Sequence, residues 1–349
     1  MIGAVQLGVL AACIVVLVPM ALAGWHLSRN KVLFFSGALF ISLAVAVHLS
    51  PYFPSLTDFF PVTTTSSIVS SSSSSSLVIL DNRDSCLSLL HRIKWKELNS
   101  SSTWKWKWVV SDHNVLACDF QKLGRTDSGD LLNGSWVMVA GDSQARLFVL
   151  SLLDLMLFEE EMVAVRGNLF KRHSDYHLVV ERVGLKLDFV WAPYVENLTH
   201  LTMGLSRNHS CPDVLVMGSG LWHMLHVNNS THYDDSLRLL SRSLMPLLGG
   251  KSQPHLFWLG MPKLINSMLN TEEKREKMTS AAQFAYDLGF RSAKLLRPAG
   301  PFVLLDIYSL SENCGETCTV DGMHYDPVVY QAAVHIMFNA LLIQSQQKL

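Results

Sequence analysis

The chain is predicted to fold as an α/β domain with a central parallel sheet, preceded by N-terminal membrane helices. Two observations predict this arrangement. Two long apolar runs open the sequence, and short apolar runs alternate with helical patterns over residues 77–349. Strand–helix alternation with continuously apolar strands is typical of a parallel sheet covered by helices on both faces. With 349 residues, 49% of them hydrophobic, the chain is long enough for one sizeable α/β domain or two small ones.

Five short apolar runs are predicted to be buried strands, and four segments between or after them to be helices. The strands are residues 136–140, 189–192, 214–217, 255–259 and 302–305. The helices are residues 144–157, 235–248, 271–288 and 327–344. Asp326 and Pro327 are favourable residues for the start of the last helix. In parallel sheets of this kind, working side chains gather at the carboxyl ends of the strands.

Residues 1–50 are predicted to form a membrane anchor with one or two transmembrane helices. Residues 3–24 and 32–49 are apolar runs, and a short polar break with Arg29 and Lys31 separates them. A cleaved signal peptide is the alternative, but no basic region precedes the first run. Because basic residues favour the cytosolic side, the break is predicted to be cytosolic and the C-terminal part lumenal.

A stalk is predicted between the anchor and the domain. Residues 51–76 contain three prolines and end in seven consecutive serines, Ser70 to Ser76. Such a composition cannot bury enough apolar area to offset the entropy lost on ordering. Residues 77–349 are therefore predicted to be a lumenal globular domain.

Sequons and cysteines agree with a lumenal location. N-glycosylation is predicted at Asn99, Asn133, Asn197, Asn208, Asn228 and Asn229. Five of the six cysteines follow the anchor, where an oxidising compartment permits disulfides, and an odd number leaves one free or paired between chains. The pair Cys314 and Cys318 is too isolated for a zinc site, so no metal is expected.

The tripeptide Gly141-Asp142-Ser143 lies at the junction of the predicted strand 136–140 and the helix that follows. A serine there is either an ordinary helix cap or a nucleophile raised above the sheet. Helix-terminal N–H groups then point at an anion that forms beside it. A serine nucleophile needs an adjacent base, because its hydroxyl is unreactive at neutral pH.

The base is predicted in Asp321-Gly322-Met323-His324, directly before the last helix. A carboxylate three residues before a histidine can orient the ring and fix its tautomer, so that the other nitrogen faces the serine. Asp306, at the end of a predicted strand, is a second candidate for the acid. Each motif alone is weak, but both are expected at one edge of the sheet.

Together these residues resemble the SGNH/GDSL hydrolase superfamily in its PC-esterase branch, which includes the plant trichome birefringence-like polysaccharide O-acetyltransferases. The block Gly-Asp-Ser-Gln-Ala-Arg through Arg146 and the C-terminal Asp-X-X-His carry the resemblance, and residues 1–40 resemble one plant Golgi type within it. The resemblance implies an SGNH-hydrolase-like three-layer sandwich. It also implies that Ser143 is the nucleophile, His324 the base and Asp321 the acid that orients it.

The resemblance fails at Gly218, where many relatives carry an oxyanion asparagine. The oxyanion is then expected to be held by Arg146 or by main-chain N–H groups of Ser143 or Gly218. The Trp-Cys pair that follows Asp-X-X-His in trichome birefringence-like proteins is replaced here by Tyr325-Asp326.

Some aromatic and histidine side chains have two interpretations. The alternation from Trp104 to Trp108 is either a sugar-stacking surface or, as we predict, a half-buried strand with lysines facing water. Trp191 and Trp222 are either sugar platforms or core residues. His223 and His226 are either pocket residues or structural, and His335 is expected in the core.

The resemblance implies an O-acetyltransferase of plant wall polysaccharides, xyloglucan and xylan, on the lumenal face of the Golgi membrane. An acetyl-serine intermediate is expected, either in the final transferase or in an acetyl carrier. The alternatives are an acetylesterase with the same triad and a non-catalytic scaffold. No cofactor is expected beyond an unidentified acetyl donor. Expected partners are the polysaccharide, a multispanning donor transporter and other acetyltransferases. A formal net charge of −1 excludes an electrostatic case for nucleic acid.

Overall fold

The computed structural model describes residues 86–98, 103–208, 210–250 and 253–345. The predicted membrane anchor and stalk lie outside these residues. The strands are β1 (Ile93–Leu98), β2 (Thr103–Trp108), β3 (Trp136–Gly141), β4 (Tyr176–Val180), β5 (Leu185–Trp191), β6 (Val214–Met217), β7 (His255–Leu259) and β8 (Val303–Leu305). The α-helices are α1 (His113–Ala117), α2 (Arg125–Leu131), α3 (Ser143–Met156), α4 (Glu159–Leu169), α5 (Val195–Arg207), α6 (Ser230–Leu248), α7 (Glu272–Lys277), α8 (Ser280–Ser292), α9 (Ile307–Cys314) and α10 (Pro327–Ser345).

A six-stranded sheet lies at the centre, with the strand order β4-β5-β3-β6-β7-β8. All neighbours pair in parallel except β4, which runs antiparallel to β5 at one edge. The strand β3 comes first among these six in the chain, and its parallel neighbours β5 and β6 lie on opposite sides of it. The strand order therefore reverses at β3, and sites in open α/β sheets lie beyond the carboxyl ends of the strands at such a point.

Both faces of the sheet are buried, which gives three layers. Along β3, Val137 and Val139 belong to one apolar core, and Met138 and Ala140 to the other. The first core also contains buried residues of α3, α4 and α10, and the second those of α5, α6 and α8. Successive side chains of a strand point to opposite faces, so strands covered on both sides become continuously apolar. The predicted mixed α/β fold with a mostly parallel sheet is confirmed.

The edge of the sheet differs from the prediction. The strand predicted at 189–192 begins earlier, at Leu185, and β4 was not predicted. Half-buried and exposed residues alternate in β4, and buried and half-buried residues alternate in the first half of β5. A strand near the edge of a sheet need not be continuously apolar, and Lys186 and Asp188 interrupt the apolar residues at the start of β5.

The helix predicted at 271–288 is wrong as a single helix. It divides into α7 and α8, because buried Met278 leaves the helical conformation (φ −97°, ψ 56°). The side chain of Thr279 then accepts a hydrogen bond from the main-chain N–H of Ala282 and caps a new helix. Threonine is a favourable N-cap, so Thr279 is the local signal for a new helix inside this segment.

The strands β1 and β2 form an antiparallel hairpin outside the main sheet. In β2, Trp106 and Trp108 are buried, whereas Lys105 and Lys107 are exposed. This alternation confirms the interpretation as a half-buried strand. A disulfide between Cys86 and Cys118 encloses the hairpin.

The last helix, α10, is 19 residues long and apolar enough to cross a membrane by length and composition. In the structure most of it is buried in the core beside the sheet. His335, within it, contacts the main-chain carbonyls of Gln331 and Leu123, as expected for a core histidine. No other helix among the described residues meets the same length and hydropathy test.

Candidate active site

Ser143 is the first residue of α3, directly after β3 at the point where the strand order reverses. The side chain of Asp142 caps this helix by accepting a hydrogen bond from the N–H of Gln144 at 2.9 Å. A Cβ atom at Gly141 would lie 2.6 Å from the carbonyl oxygen of Gly218, so only glycine fits there. The tight strand-to-helix turn thus places a partly buried serine hydroxyl at the carboxyl end of the central strand.

The segment Asp321–His324 is a turn held by its own side chains. One carboxylate oxygen of Asp321 accepts the main-chain N–H groups of Met323 (3.0 Å) and His324 (2.8 Å). The hydroxyl of Thr319 accepts from the N–H of Gly322 at 3.0 Å and donates to the carbonyl of His324 at 2.7 Å. Gly322 has a φ of +76°, a left-handed conformation that favours glycine. The histidine is therefore fixed before any substrate arrives.

The structure brings the three predicted side chains together. Nδ1 of His324 lies 2.6 Å from the other carboxylate oxygen of Asp321, and Nε2 lies 2.8 Å from Oγ of Ser143. Because a carboxylate only accepts, Nδ1 must carry the proton, which leaves Nε2 to accept the serine hydroxyl. This is the hydrogen-bond order of a nucleophile, a base and an orienting acid.

Two carboxyl groups near the histidine have opposite pKa shifts. Burial alone would raise the pKa of Asp321, but hydrogen bonds from the ring and main chain of His324 and from Met323 hold it below its ordinary value. Burial raises the pKa of Asp142 to about 6, although the Gln144 N–H and the nearby His324 act against the rise. The acid paired with the ring thus stays ionised, while the helix cap titrates at mildly acidic pH.

Gln144 is a site residue that sequence reasoning missed. Its buried side-chain amide donates to the carbonyl of Met323 at 2.9 Å, and its Oε1 accepts the hydroxyl of Tyr330 from α10. Gln144, which follows Ser143, therefore holds Met323, which precedes His324. The sequence offers one signal for this role, a polar residue among the apolar residues of α3. Its hydrogen-bond partners are set by the tertiary fold.

Arg146 lies beside the site without contacting the serine. Among the described residues, its buried guanidinium packs near the rings of Trp191 (4.9 Å), Phe189 (5.2 Å) and Phe170, and it makes a long hydrogen bond of 3.5 Å to the carbonyl of Ser174. These contacts hold the loop before β4 against α3. The oxyanion role predicted for Arg146 stays a prediction.

The oxyanion role predicted for Gly218 does not fit the structure. Its main-chain N–H donates to the carbonyl of Ala140 at 3.0 Å and is therefore already paired between β3 and β6. A Cβ atom at this position would lie 2.9 Å from the carbonyl oxygen of Leu259, so a larger residue would require β7 to shift. The glycine serves close strand packing at the centre of the sheet.

Asp306, the second candidate for the acid, lies elsewhere. Its carboxylate accepts from the N–H of Ser309 at 3.2 Å and the hydroxyl of Ser309 at 2.7 Å, which caps α9. Its own N–H donates to His91 at 3.0 Å. A structural cap explains this carboxylate.

A partly exposed group of aromatic and histidine rings lies beyond the ends of β5 and β6, and we call it the aromatic surface. Its members are His173, Trp191, Tyr194, Trp222 and His226. Trp191 stacks on His173 at 4.9 Å and meets Trp222 edge-on at 5.5 Å. Of the two interpretations given for these tryptophans from the sequence, core packing fits only in part, because both side chains are half-buried.

The described cysteines form two disulfides and leave one cysteine free. Cys314 and Cys318 form a second disulfide, and Cys211 is a free cysteine. The exposed sequon residues are Asn133, Asn197, Asn208, Asn228 and Asn229, and Asn99 lies outside the described residues. Glycosylation itself stays a prediction.

A cavity of about 290 Å³ opens at the same edge of the sheet, beyond β6, β7 and β8. Ser219, Lys263, Asp306 and Tyr308 are among its lining residues, whereas Ser143 and His324 are not. This cavity is therefore distinct from the triad.

Similarity to a known protein decides the family. The chain is 53% identical to Protein ALTERED XYLOGLUCAN 9 of Arabidopsis thaliana, over 100% of both sequences. The chain belongs to the ALTERED XYLOGLUCAN 9 family. This membership confirms the resemblance to one plant protein type that residues 1–40 indicated.

Other comparisons add little to this assignment. No protein-family model matches the chain. A solved structure described as a peptidoglycan O-acetylesterase in action aligns with 46% of this chain and 48% of its own, at 16% identity and a TM-score of 0.29. That similarity is too small to bear on the fold or function of an ALTERED XYLOGLUCAN 9 family member.

Proposed function

We propose that the chain is an O-acetyltransferase with an SGNH-hydrolase-like fold, which contributes to the acetylation of plant wall polysaccharides such as xyloglucan and xylan. The contacts of His324 with Ser143 at 2.8 Å and with Asp321 at 2.6 Å carry the proposal. The name of the Arabidopsis relative supports xyloglucan as a target.

In the first half-reaction, Oγ of Ser143 attacks the carbonyl carbon of a donor acetyl group. Its proton passes to Nε2 of His324, and the hydrogen bond from Nδ1 to Asp321 stabilises the imidazolium that forms. When the bond from the carbonyl carbon to the donor breaks, Nε2 returns the proton to the leaving group. The acetyl group is then an ester on Ser143.

In the second half-reaction, a sugar hydroxyl attacks the acetyl-serine carbonyl and gives its proton to Nε2 of His324. The bond from the carbonyl carbon to Oγ breaks, and the proton returns to Ser143. A base placed in this way contributes roughly 10²–10⁴ in rate. If water replaces the sugar, the same steps make an acetylesterase.

The tetrahedral oxyanion of each step is expected to form at the N-terminus of α3, where main-chain N–H groups and the helix dipole favour negative charge. The N–H of Ser143 is the predicted donor there. Gly218 is excluded because its N–H is paired with Ala140.

The protein is proposed to act at the Golgi membrane with its catalytic domain in the lumen. Two roles suit an acetyl-serine enzyme: transfer to the polysaccharide itself, or passage of the acetyl group to other acetyltransferases. A multispanning transporter is the proposed source of acetyl groups in either role.

The test uses the full-length chain in detergent with a chromogenic acetyl ester and xyloglucan or xylan oligosaccharides. The wild type and a Ser206→Ala control are expected to yield acetylated oligosaccharide, and Ser143→Ala none. Mass spectrometry of the quenched wild type should find the acetyl group on the Ser143 peptide. Product from Ser143→Ala would disprove the nucleophile assignment, free acetate alone would indicate an esterase, and an inactive wild type would favour a scaffold.

A further inference from the structure

Three metal-ligating side chains from different elements meet outside the triad. Glu196 lies in the first turn of α5, His223 opens a π-helical segment (His223–Val227) after β6, and His232 lies in the first turn of α6. Nε2 of His223 is 3.1 Å from Nδ1 of His232. Each of these nitrogens is 3.7 Å from Oε1 of Glu196.

These separations suit one small cation. Ligand atoms bound tetrahedrally at zinc distances of about 2.0–2.1 Å lie roughly 3.3 Å from one another. The nitrogen pair, at 3.1 Å, and the two nitrogen–oxygen pairs, at 3.7 Å, bracket that value. A hydrogen bond between the two imidazoles accounts for one of the three separations and ion pairing for the other two, whereas one bound cation accounts for all three.

Two of the three ligands are held in place by their surroundings. The ring of His223 is fully buried and packs edge-on against Tyr194 (5.5 Å) and Tyr233 (5.3 Å). Oε1 of Glu196 accepts a hydrogen bond of 2.6 Å from the hydroxyl of Ser236. Outer contacts of this kind fix the orientation of metal ligands.

The third ligand leaves the cluster open to solvent. The side chain of His232 is 53% exposed and that of Glu196 38% exposed, whereas that of His223 is 0% exposed. A cation can therefore enter from the surface, reach the buried ring, and keep a fourth position for water. Sites with three protein ligands and an open position are common for zinc.

We propose that Glu196, His223 and His232 form a binding site for one divalent transition-metal ion of the zinc class. Two imidazoles and one carboxylate suit zinc and its neighbours, whereas calcium and magnesium prefer oxygen ligands alone. Nδ1 of His223, which keeps its proton when Nε2 binds the metal, has no partner among the described residues. Because such a partner strengthens binding, the affinity is expected to be moderate.

The bound ion would hold together three segments that follow central strands of the sheet: α5, His223–Val227 and α6. Glu196 comes shortly after β5, His223 after β6, and His232 lies on α6, which covers one face of the sheet. In the sequence, Tyr194 of the aromatic surface comes two residues before Glu196, and Trp222 comes directly before His223. The ion is thus expected to order that surface while the triad residues remain separate. The cysteine pair considered in the sequence belongs to a disulfide and takes no part.

The test is metal binding by the untagged full-length chain in detergent, stripped with a chelator. Zinc titration is expected to show one equivalent per chain, and cobalt should give a visible absorption band that zinc displaces. Glu196→Gln and His232→Ala alter two partly exposed ligands, so both are expected to fold. Each should weaken binding by about tenfold or more.

His200→Ala is the matched control, because His200 is exposed on the same helix as Glu196 but outside the cluster. It should bind zinc as the wild type does. Zinc should also raise the midpoint of thermal unfolding in the wild type and in this control, but not in His232→Ala. A wild type that gives neither the cobalt band nor a zinc equivalent would overturn the proposal. Equal binding by all variants would do the same.

Discussion

The side chain of Gln144 donates to the main-chain carbonyl of Met323 at 2.9 Å, and so ties the start of α3 to the turn that carries His324. The hydroxyl of Tyr330 completes this link from α10. The distance between Ser143 and His324 thus depends on a residue that touches neither reacting group. Gln144 is a positioning residue in the proposed reaction.

Gln144→Ala is expected to lower acetyl transfer per folded molecule by roughly 10²-fold, because small displacements of catalytic groups have effects of this size. It leaves the Met323 carbonyl and the Tyr330 hydroxyl unpaired, at a cost of about 1–3 kcal/mol each in unfolding free energy. The decrease in transfer should appear in kcat more than in KM.

Asn339→Ala is the control for this prediction, because it removes another buried amide, one that bridges main-chain groups of Gln121. This control should lose stability but keep its kcat, and an equal loss of kcat in both variants would refute the positioning role.

Asp321→Asn should lower transfer by roughly 10²–10⁴-fold while the turn stays folded. An asparagine oxygen can still accept the N–H groups of Met323 and His324, but its amide donates to Nδ1. The ring would then carry its proton on Nε2 and could not accept from Ser143. Asp306→Asn provides the comparison, since it changes only a cap of α9 and should stay within a few-fold of wild type. Transfer rates of both variants are measured together with circular dichroism spectra, which show that each is folded. A larger loss of rate in Asp306→Asn than in Asp321→Asn would make Asp306 the acid.

Asp142→Asn should change how stability depends on pH. The folded-state pKa of Asp142 is raised from 3.8 to about 6, so the folded protein binds this proton more tightly than the unfolded chain does. The stabilising contribution is complete below about pH 4 and is lost as pH rises towards 6. Asparagine keeps the cap but does not titrate. The unfolding free energy of the variant minus that of the wild type should therefore be higher above pH 6 than at pH 4, by on the order of 2–3 kcal/mol. Urea unfolding of both proteins at pH 4 and above pH 6 measures this difference in unfolding free energy. A difference that does not change with pH would contradict the raised pKa of Asp142.

Trp222→Ala is expected to weaken the binding of polysaccharide acceptors, because partly exposed tryptophan rings stack well on sugars. The KM for xyloglucan oligosaccharides should rise about tenfold, which corresponds to roughly 1.4 kcal/mol. Turnover of a small chromogenic ester should stay near that of the wild type. Trp104→Ala, on the separate hairpin, tests the alternative sugar surface and should leave both values unchanged. A rise of KM in Trp104→Ala alone would move the acceptor site to the hairpin.

Loss of the disulfide between Cys86 and Cys118 should lower the unfolding free energy by about 2–4 kcal/mol. The bridge restricts the unfolded chain around the hairpin β1–β2. Replacement of both cysteines by serine, followed by denaturant unfolding, measures the effect. Cys211→Ser is the control, because Cys211 is unpaired and should change stability little.

The interior of the sheet and the triad were predictable because their signals are local. The strands β6 and β7 are buried on both faces, so their apolar runs matched the predicted bounds. The turn from Asp321 to His324 is held by hydrogen bonds between neighbouring residues, so this four-residue motif alone is enough to predict it.

The features that were missed depend on distant parts of the chain. The partners of Gln144, Met323 and Tyr330, are adjacent to it only after the sheet has formed. The strand β4 is short and lies at an open edge, and because both His177 and Val179 are exposed there, no polar–apolar alternation marks it in the sequence. The pairing of Gly218 with Ala140 follows from the register of β3 and β6, which no single stretch of sequence encodes.

The position of α10 at the end of the described chain has a consequence for biosynthesis. Its 19 residues follow His324 directly and fill much of one core. At roughly 5–20 residues per second, a ribosome needs about one to four seconds to add them. Until the helix has emerged, the apolar faces of β3 and α3 lack their cover, and Gln144 lacks Tyr330. A nascent chain therefore exposes these apolar faces until α10 has been made, and a chain truncated before α10 should be degraded rather than accumulate as a partly active form.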